Sequence, residues 1–177
     1  MLSFTTSPAK DDLRISLEDA GGEVARRLIH DLCSQMSERY GTPPSPFSPE
    51  DTAASRSAFL VARLGDEPVG CGALRRLDDS AAEIKRMYVA PTARRQGIAR
   101  RILRELESQA MGFGYRFVRL ETGVLQHEAV ALYEACGYRR IPAFGHYIGS
   151  PISICYEKAL AGHSAGSESN PTPPAQS

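Results

Sequence analysis

Chemistry is concentrated at the junction Val89-Ala90-Pro91-Thr92-Ala93-Arg94-Arg95-Gln96-Gly97-Ile98-Ala99, where a strand-like segment runs into an amphipathic helix. A helix N-terminus carries partial positive charge and N–H groups without intrahelical partners, so cations are unfavourable there. Yet Arg94, Arg95, Arg100 and Arg101 crowd this one. The arrangement becomes sensible if an anion sits among them. A pyrophosphate would accept hydrogen bonds from successive backbone N–H groups, and Gly97 would let it approach with no side chain in the way. A solvated, Arg-rich helix start is the competing reading, and the segment by itself leaves both open. It is not a Walker-type loop, since no Gly-Lys-Ser/Thr follows, and it does not read GxGxxG.

Periodicity supplies the elements that must position this junction. Residues 13–17 alternate as a strand, with Leu13, Ile15 and Leu17 on one face. A helix follows, in which Val24, Leu28, Leu32, Met36 and Tyr40 recur at helical spacing until Gly41, Pro43 and Pro44 end it. The Pro-rich stretch 42–49 predicts an extended surface loop. Segments 58–64 and 69–77, joined by Gly65-Asp66-Glu67-Pro68, predict a hairpin, and 84–89 a third strand that stops at Pro91. Beyond Gly97, Ile98, Ile102, Leu103, Leu106 and Ala110 form an apolar stripe, with Arg100, Arg101, Arg104, Glu105 and Glu107 opposite. A strand at 115–120 precedes a helix from about Glu128 that sets Ala129, Leu132, Tyr133 and Cys136 on one side and closes at Gly137. Strands at 138–141 and 152–158 complete a mixed sheet with helices on its faces. Residues 1–11 read as a flexible N-terminus and 12–160 as one domain. Residues 161–177, which hold no large apolar side chain, read as a disordered tail.

Three motifs in this order resemble the GNAT superfamily of acetyl-CoA-dependent N-acetyltransferases. Arg94-x-x-Gly97-x-Ala99 looks like the family's Gln/Arg-x-x-Gly-x-Gly/Ala signature, Glu83-Ile-Lys-Arg-Met-Tyr-Val-Ala-Pro91 its central strand, and Ala131-Leu-Tyr-Glu-Ala-Cys-Gly-Tyr138 its second motif. The similarity spans roughly residues 12–160. It implies an α/β (α+β) fold with a mixed, mostly antiparallel twisted sheet and helices on both faces. It also implies that Arg94, Arg95, Gln96, Gly97, Ile98 and Ala99 cradle the coenzyme A pyrophosphate, and that Met87, Tyr88 and Val89 hold the pantetheine arm through backbone contacts. Gln126 stands where many members have an Asn that touches the coenzyme.

The reaction so implied needs a neutral amine, a stabilised oxyanion and a proton for the departing thiolate. An alkylamine of pKa about 10.4 is neutral in only about one molecule in 2,500 at pH 7, and deprotonating it costs roughly 4.6 kcal/mol. A carboxylate, directly or through water, is a suitable base. The resemblance points to Glu83, with Glu121 in reserve; the competing reading pairs Glu83 with Lys85, which shares its strand face together with Met87, or with another cation. The resemblance makes Tyr133 the acid, although an aromatic residue on an apolar helix face is by periodicity alone a packing residue. A backbone N–H near Met87 to Val89 would serve the oxyanion.

Composition narrows the alternatives. With 21 basic and 21 acidic residues, 24% charged and 42% hydrophobic, the chain lacks the basic excess of a dedicated nucleic-acid binder. No uninterrupted apolar stretch approaches the ~20 residues of a membrane span, and no secretory signal precedes Lys10, Asp11 and Asp12. The expectation is a cytoplasmic protein whose Cys33, Cys71, Cys136 and Cys155 are reduced, half-buried thiols. His30, His127 and His146 lack metal-ligand spacing, so no metal is expected. Acetyl-CoA is the expected co-substrate and a small-molecule amine the partner, with Phe47, Phe144, His146 and Tyr147 lending its pocket aromatic character; a homodimer stays open. Two rivals share the fold: a noncatalytic acyl-CoA-binding regulatory module, in which Tyr133 and Glu83 would be dispensable, and an acetyltransferase acting on a protein amine.

Overall fold

The computed structural model describes residues 12–41 and 54–160. The readings of 1–11, 42–49 and 161–177 lie outside the described residues. The strands are β1 Leu13–Leu17, β2 Ala58–Leu64, β3 Glu67–Arg76, β4 Ala81–Val89, β5 Phe117–Gly123, β6 Arg139–Ile141 and β7 Ser153–Ala159. They form one sheet in the order β1-β2-β3-β4-β5-β7-β6. Every neighbouring pair is antiparallel except β4–β5, which is parallel. The helices are α1 Glu23–Tyr40, α2 Ile98–Gly112 and α3 His127–Ala135. Among the described residues no helix is long and apolar enough to cross a membrane.

Each face of the sheet has its own core. On one, Ala25, Leu28 and Leu32 of α1 pack on Phe59, Val61, Cys71, Ala73 and Tyr88. On the other, the expected stripe of α2 is buried along its whole length against the sheet, and Tyr133 of α3 joins the same cluster. Each fully buried aliphatic side chain of this kind contributes about 1.5–3 kcal/mol. Close approach of α2 to β3 depends on Gly72, where an added Cβ would come within 2.8 Å of both Ile102 and Leu106.

The structure corrects several side-chain placements. Leu17, at the end of an edge strand, is 58% exposed and not part of a buried face. Glu107, expected on the solvent side of α2, is buried: it accepts a hydrogen bond from the Tyr138 hydroxyl at 2.9 Å and pairs with Lys158 at 2.7 Å. Polar partners on other elements let a carboxylate occupy that position. Met87 does not share a face with Glu83 and Lys85. Tyr88 opposes Cys71 but Lys85 opposes Ala73, so β4 carries one extra residue here, with Arg86 at a φ of 56°. A bulge reverses the alternation beyond it. Met87 therefore turns to the α2 side, where its sulfur lies against Gly72. The four cysteines are free thiols as expected, although Cys71 and Cys155 are buried outright; burial pushes the Cys71 thiol up to about 12.

Candidate active site

The parallel ladder between β4 and β5 ends where Ile84 meets Leu120. Both strands continue, β4 to Val89 and β5 to Gly123, each paired only on its outer side, to β3 and β7. The sheet is thus split along its middle, and the inner edge of β4 beyond the bulge has no strand partner among the described residues. Two cavities meet at this split, one of about 420 Å³ running to the start of α2 and one of about 350 Å³ on the side of α1 and the 145–153 segment. Met87, Gln126 and Tyr133 line both.

The larger cavity ends at the arginine-rich turn. Gly97 adopts a φ of 79°, and a Cβ placed there would meet nothing within 4 Å, so the turn leaves open space in front of its backbone. The first turn of α2 contains no acidic residue and its N-cap uses no side chain, which leaves the helix N–H groups for an anion. Arg94, Arg95, Gly97, Ile98, Ala99 and Arg100 line this end. These features fit a pyrophosphate. Arg94 has another task among the cradle residues: its guanidinium donates to the Val89 carbonyl at 2.9 Å and to Gln35 of α1 at 2.6 Å, bracing the turn against β4. Ile98 points into the core, and Gln96 is exposed. Tyr88 packs on the α1 side while Val89 packs on the α2 side, so the strand itself forms the wall between them. Gln126 caps α3 and faces the split.

Tyr133 sits where the cavities join. Its ring packs edge-on to Tyr138 at 5.8 Å and against Tyr156 at 6.2 Å. Its hydroxyl has no hydrogen-bond partner among the described residues. Burial, with the Glu121 charge adding to it, raises its pKa above the usual tyrosine value and keeps the proton on.

The two candidate carboxylates have different surroundings. Glu83 is fully buried and does not line either cavity. Its Oε2 lies 2.6–2.7 Å from the Arg75 guanidinium, while Oε1 accepts a 2.7 Å hydrogen bond from Tyr147 and lies 3.6 Å from Lys85. Lys85 in turn donates to the Tyr147 hydroxyl at 2.9 Å. Glu121, by contrast, lines the smaller cavity together with Lys85. Burial raises its pKa, which a hydrogen bond with Ser153 and the Lys85 charge partly counteract. His146 and Tyr147 supply the expected aromatic lining, their rings 4.0 Å apart, with Phe144 edge-on behind Tyr147 at 5.3 Å; Phe47 lies outside the described residues. Lys85 and Ser153 are site residues that the sequence reading did not assign a role. Alternation placed Lys85 beside Glu83, but no spacing signal links Ser153 to Glu121.

The split sheet has an anion-ready helix start on one side and a cavity holding a carboxylate on the other, and comparison with known proteins gives this arrangement its class, an acyl-group transferase, and its family. The acetyltransferase (GNAT) family model matches residues 25–138. The IAA acetyltransferase of Azospirillum brasilense is 34% identical over 151 residues, 84% of this chain and 99% of that one. A solved Klebsiella pneumoniae structure described as an acyl-CoA N-acyltransferase is 32% identical with a TM-score of 0.72, covering 84% of this chain and 97% of its own. A GNAT acetyltransferase of Elizabethkingia anophelis, solved with acetyl-CoA bound, shares the fold at 21% identity and a TM-score of 0.62, over 85% and 99% of the two chains. The chain belongs to the GNAT family of acetyltransferases.

Proposed function

We propose that the protein transfers an acetyl group from acetyl-CoA to the primary amine of a small molecule, by direct attack within a ternary complex in the cytoplasm. The observation that carries this reading is the position of Tyr133, whose unpartnered hydroxyl stands where the cavity from the Gly97 turn meets the cavity that contains Glu121.

The donor supplies an activated thioester carbonyl. Arg95, Arg100 and the N–H groups after Gly97 bind its phosphates, and the inner edge of β4 from Met87 to Val89 holds the arm that leads into the split. Glu121, in place of Glu83, takes the ammonium proton of the bound amine and releases it to solvent, and then accepts the second proton that the nitrogen loses as it bonds to the acyl carbon. Its access to the cavity and raised pKa suit a base working near neutral pH. A backbone N–H on the free edge of β4 donates to the carbonyl oxygen as negative charge develops there. Tyr133 gives its hydroxyl proton to sulfur as the C–S bond breaks. The proton on Glu121 then returns to the Tyr133 phenolate through solvent, so that one proton passes from amine to thiol overall. Glu83 acts as a positioning residue, fastening Tyr147, and with it the 145–147 turn, to β4.

Incubating the protein with acetyl-CoA and a panel of amines, while following free thiol and acetylated product, tests the proposal. Amine-dependent thiol release with matching product supports it; tight acetyl-CoA binding without turnover on any amine would favour the noncatalytic module.

A further inference from the structure

We propose that the acceptor carries a carboxylate beside its amine, and that Lys85 is the residue that reads it. This rests on taking the cavity beside Glu121 as the acceptor site.

The argument begins with the cost of placing an ammonium in that wall. The Lys85 side chain is only 16% exposed, and a buried cation requires an anion or a full set of acceptors. Glu83 is the nearest carboxylate, but Arg75 holds one of its oxygens and the Tyr147 hydroxyl the other. Lys85 pairs with Glu83 more loosely, at 3.6 Å, and donates a hydrogen bond to the neutral Tyr147 oxygen at 2.9 Å. An ammonium has three protons to donate, and Arg75 and Lys85 share the single negative charge of Glu83, so the two cations are only half neutralised by it. The remaining donors have the cavity in front of them.

Glu121 lines the same cavity from β5, near enough to feel the Lys85 charge, so the cavity carries both signs: cationic on β4, where Arg86 also lines it, and anionic on β5. A molecule with an amine turned to Glu121 and a carboxylate turned to Lys85 matches both walls. A polyamine or aminoglycoside would set further positive charge against Lys85, and a polypeptide N-terminus has an amide where the carboxylate should be. A volume of about 350 Å³ lies at the small end of ligand cavities and suits a single amino acid.

The test uses matched acceptors with the full chain and acetyl-CoA: amino acids, their carboxamides and the corresponding decarboxylated amines. The amino acid should exceed its carboxamide in kcat/KM by about 10- to 100-fold, the range of a charge-assisted hydrogen bond, with most of the difference in KM. Lys85→Met should bring that ratio close to one, and Lys85→Arg should preserve a clear preference. Melting and coenzyme titration check that each variant is folded; if Lys85→Met is not, the wild-type ratio and the Lys85→Arg ratio still decide. Carboxamides and simple amines acetylated as well as amino acids would overturn the carboxylate reading and leave the transferase intact. A wild-type preference that persists in Lys85→Met would overturn the role of Lys85. Turnover of no acceptor at all would overturn this inference together with the proposed function.

Discussion

Removing one oxygen atom from Tyr133 separates catalysis from packing. Tyr133→Phe retains the ring and its contacts with Tyr138 at 5.8 Å and Tyr156 at 6.2 Å. Because the hydroxyl has no partner among the described residues, its loss leaves no buried group unsatisfied. The stability change should fall well below the ~1 kcal/mol of a lost hydrogen bond. The rate should respond very differently: a positioned general acid contributes about 10²–10⁴, so kcat should drop at least ~100-fold, or about 2.7 kcal/mol in the barrier. Acetyl-CoA affinity should be unchanged. The pH dependence adds a second signature. Burial raises the pKa of Tyr133 above the free tyrosine value, so the wild-type acid stays protonated throughout an assay from pH 6 to about 9, and its titration should produce no alkaline loss of kcat there. Steady-state thiol release against pH, with melting and calorimetry on the same preparations, measures all three quantities. Wild-type kcat in Tyr133→Phe at every pH would refute the reasoning and leave Tyr133 a packing residue.

The two glutamates should respond in opposite ways. Glu121 must be ionised to act as a base and its pKa is raised, so the acidic limb of the wild-type pH–rate profile should lie above the ordinary carboxylate range. In Glu121→Gln that limb should vanish, with activity recovering as pH climbs and the amine deprotonates unaided. Glu83→Gln should act chiefly on folding, because it leaves Arg75 and Lys85 without their shared anion. We expect a loss of about 3 kcal/mol, the low end for breaking a buried ion pair because Arg75 is partly exposed. That corresponds to roughly 6–12 °C in Tm for a chain of this length. A Glu83→Gln protein with unchanged Tm and abolished kcat would restore Glu83 as the base. Gly97→Glu should abolish coenzyme binding by calorimetry, since it places a side chain and a negative charge in the open space before the helix N-terminus and requires a non-glycine residue at a φ of 79°. Unchanged affinity in a folded variant would remove the pyrophosphate site.

Local rules reached the elements because each is written in a contiguous stretch. The stripe of Ile98, Ile102, Leu103, Leu106 and Ala110 is buried as its spacing requires, and strand β2 occupies residues 58–64 as alternation and turn signals predict. Strand order was not legible in the same way. The last strand enters the sheet between β5 and β6, a choice made by packing across the whole sheet and not by any local pattern. Met87 shows how a small irregularity defeats periodicity. One inserted residue at Arg86 moves every later side chain of β4 to the opposite face, and neither Arg86 nor its neighbours belong to the residue types that mark a bulge.

The site divides along the same line. Its coenzyme half lies in one stretch, where the conflict between four arginines and a helix N-terminus can be read from charge and spacing alone. Its acceptor half cannot be read that way, because what a carboxylate does depends on who holds it. Glu83 is engaged by Arg75, eight residues away on the neighbouring strand, and by Tyr147, 64 residues away on a turn beyond the last helix. Glu121 is held more lightly, by a hydrogen bond with Ser153 of β7 and the charge of Lys85, because the ladder on its inner side ends at Leu120. Alternation sees two glutamates on two strands and cannot rank them. The split between β4 and β5 gives them different surroundings: Glu121 lines a cavity, whereas Glu83 is buried against Arg75 and lines neither.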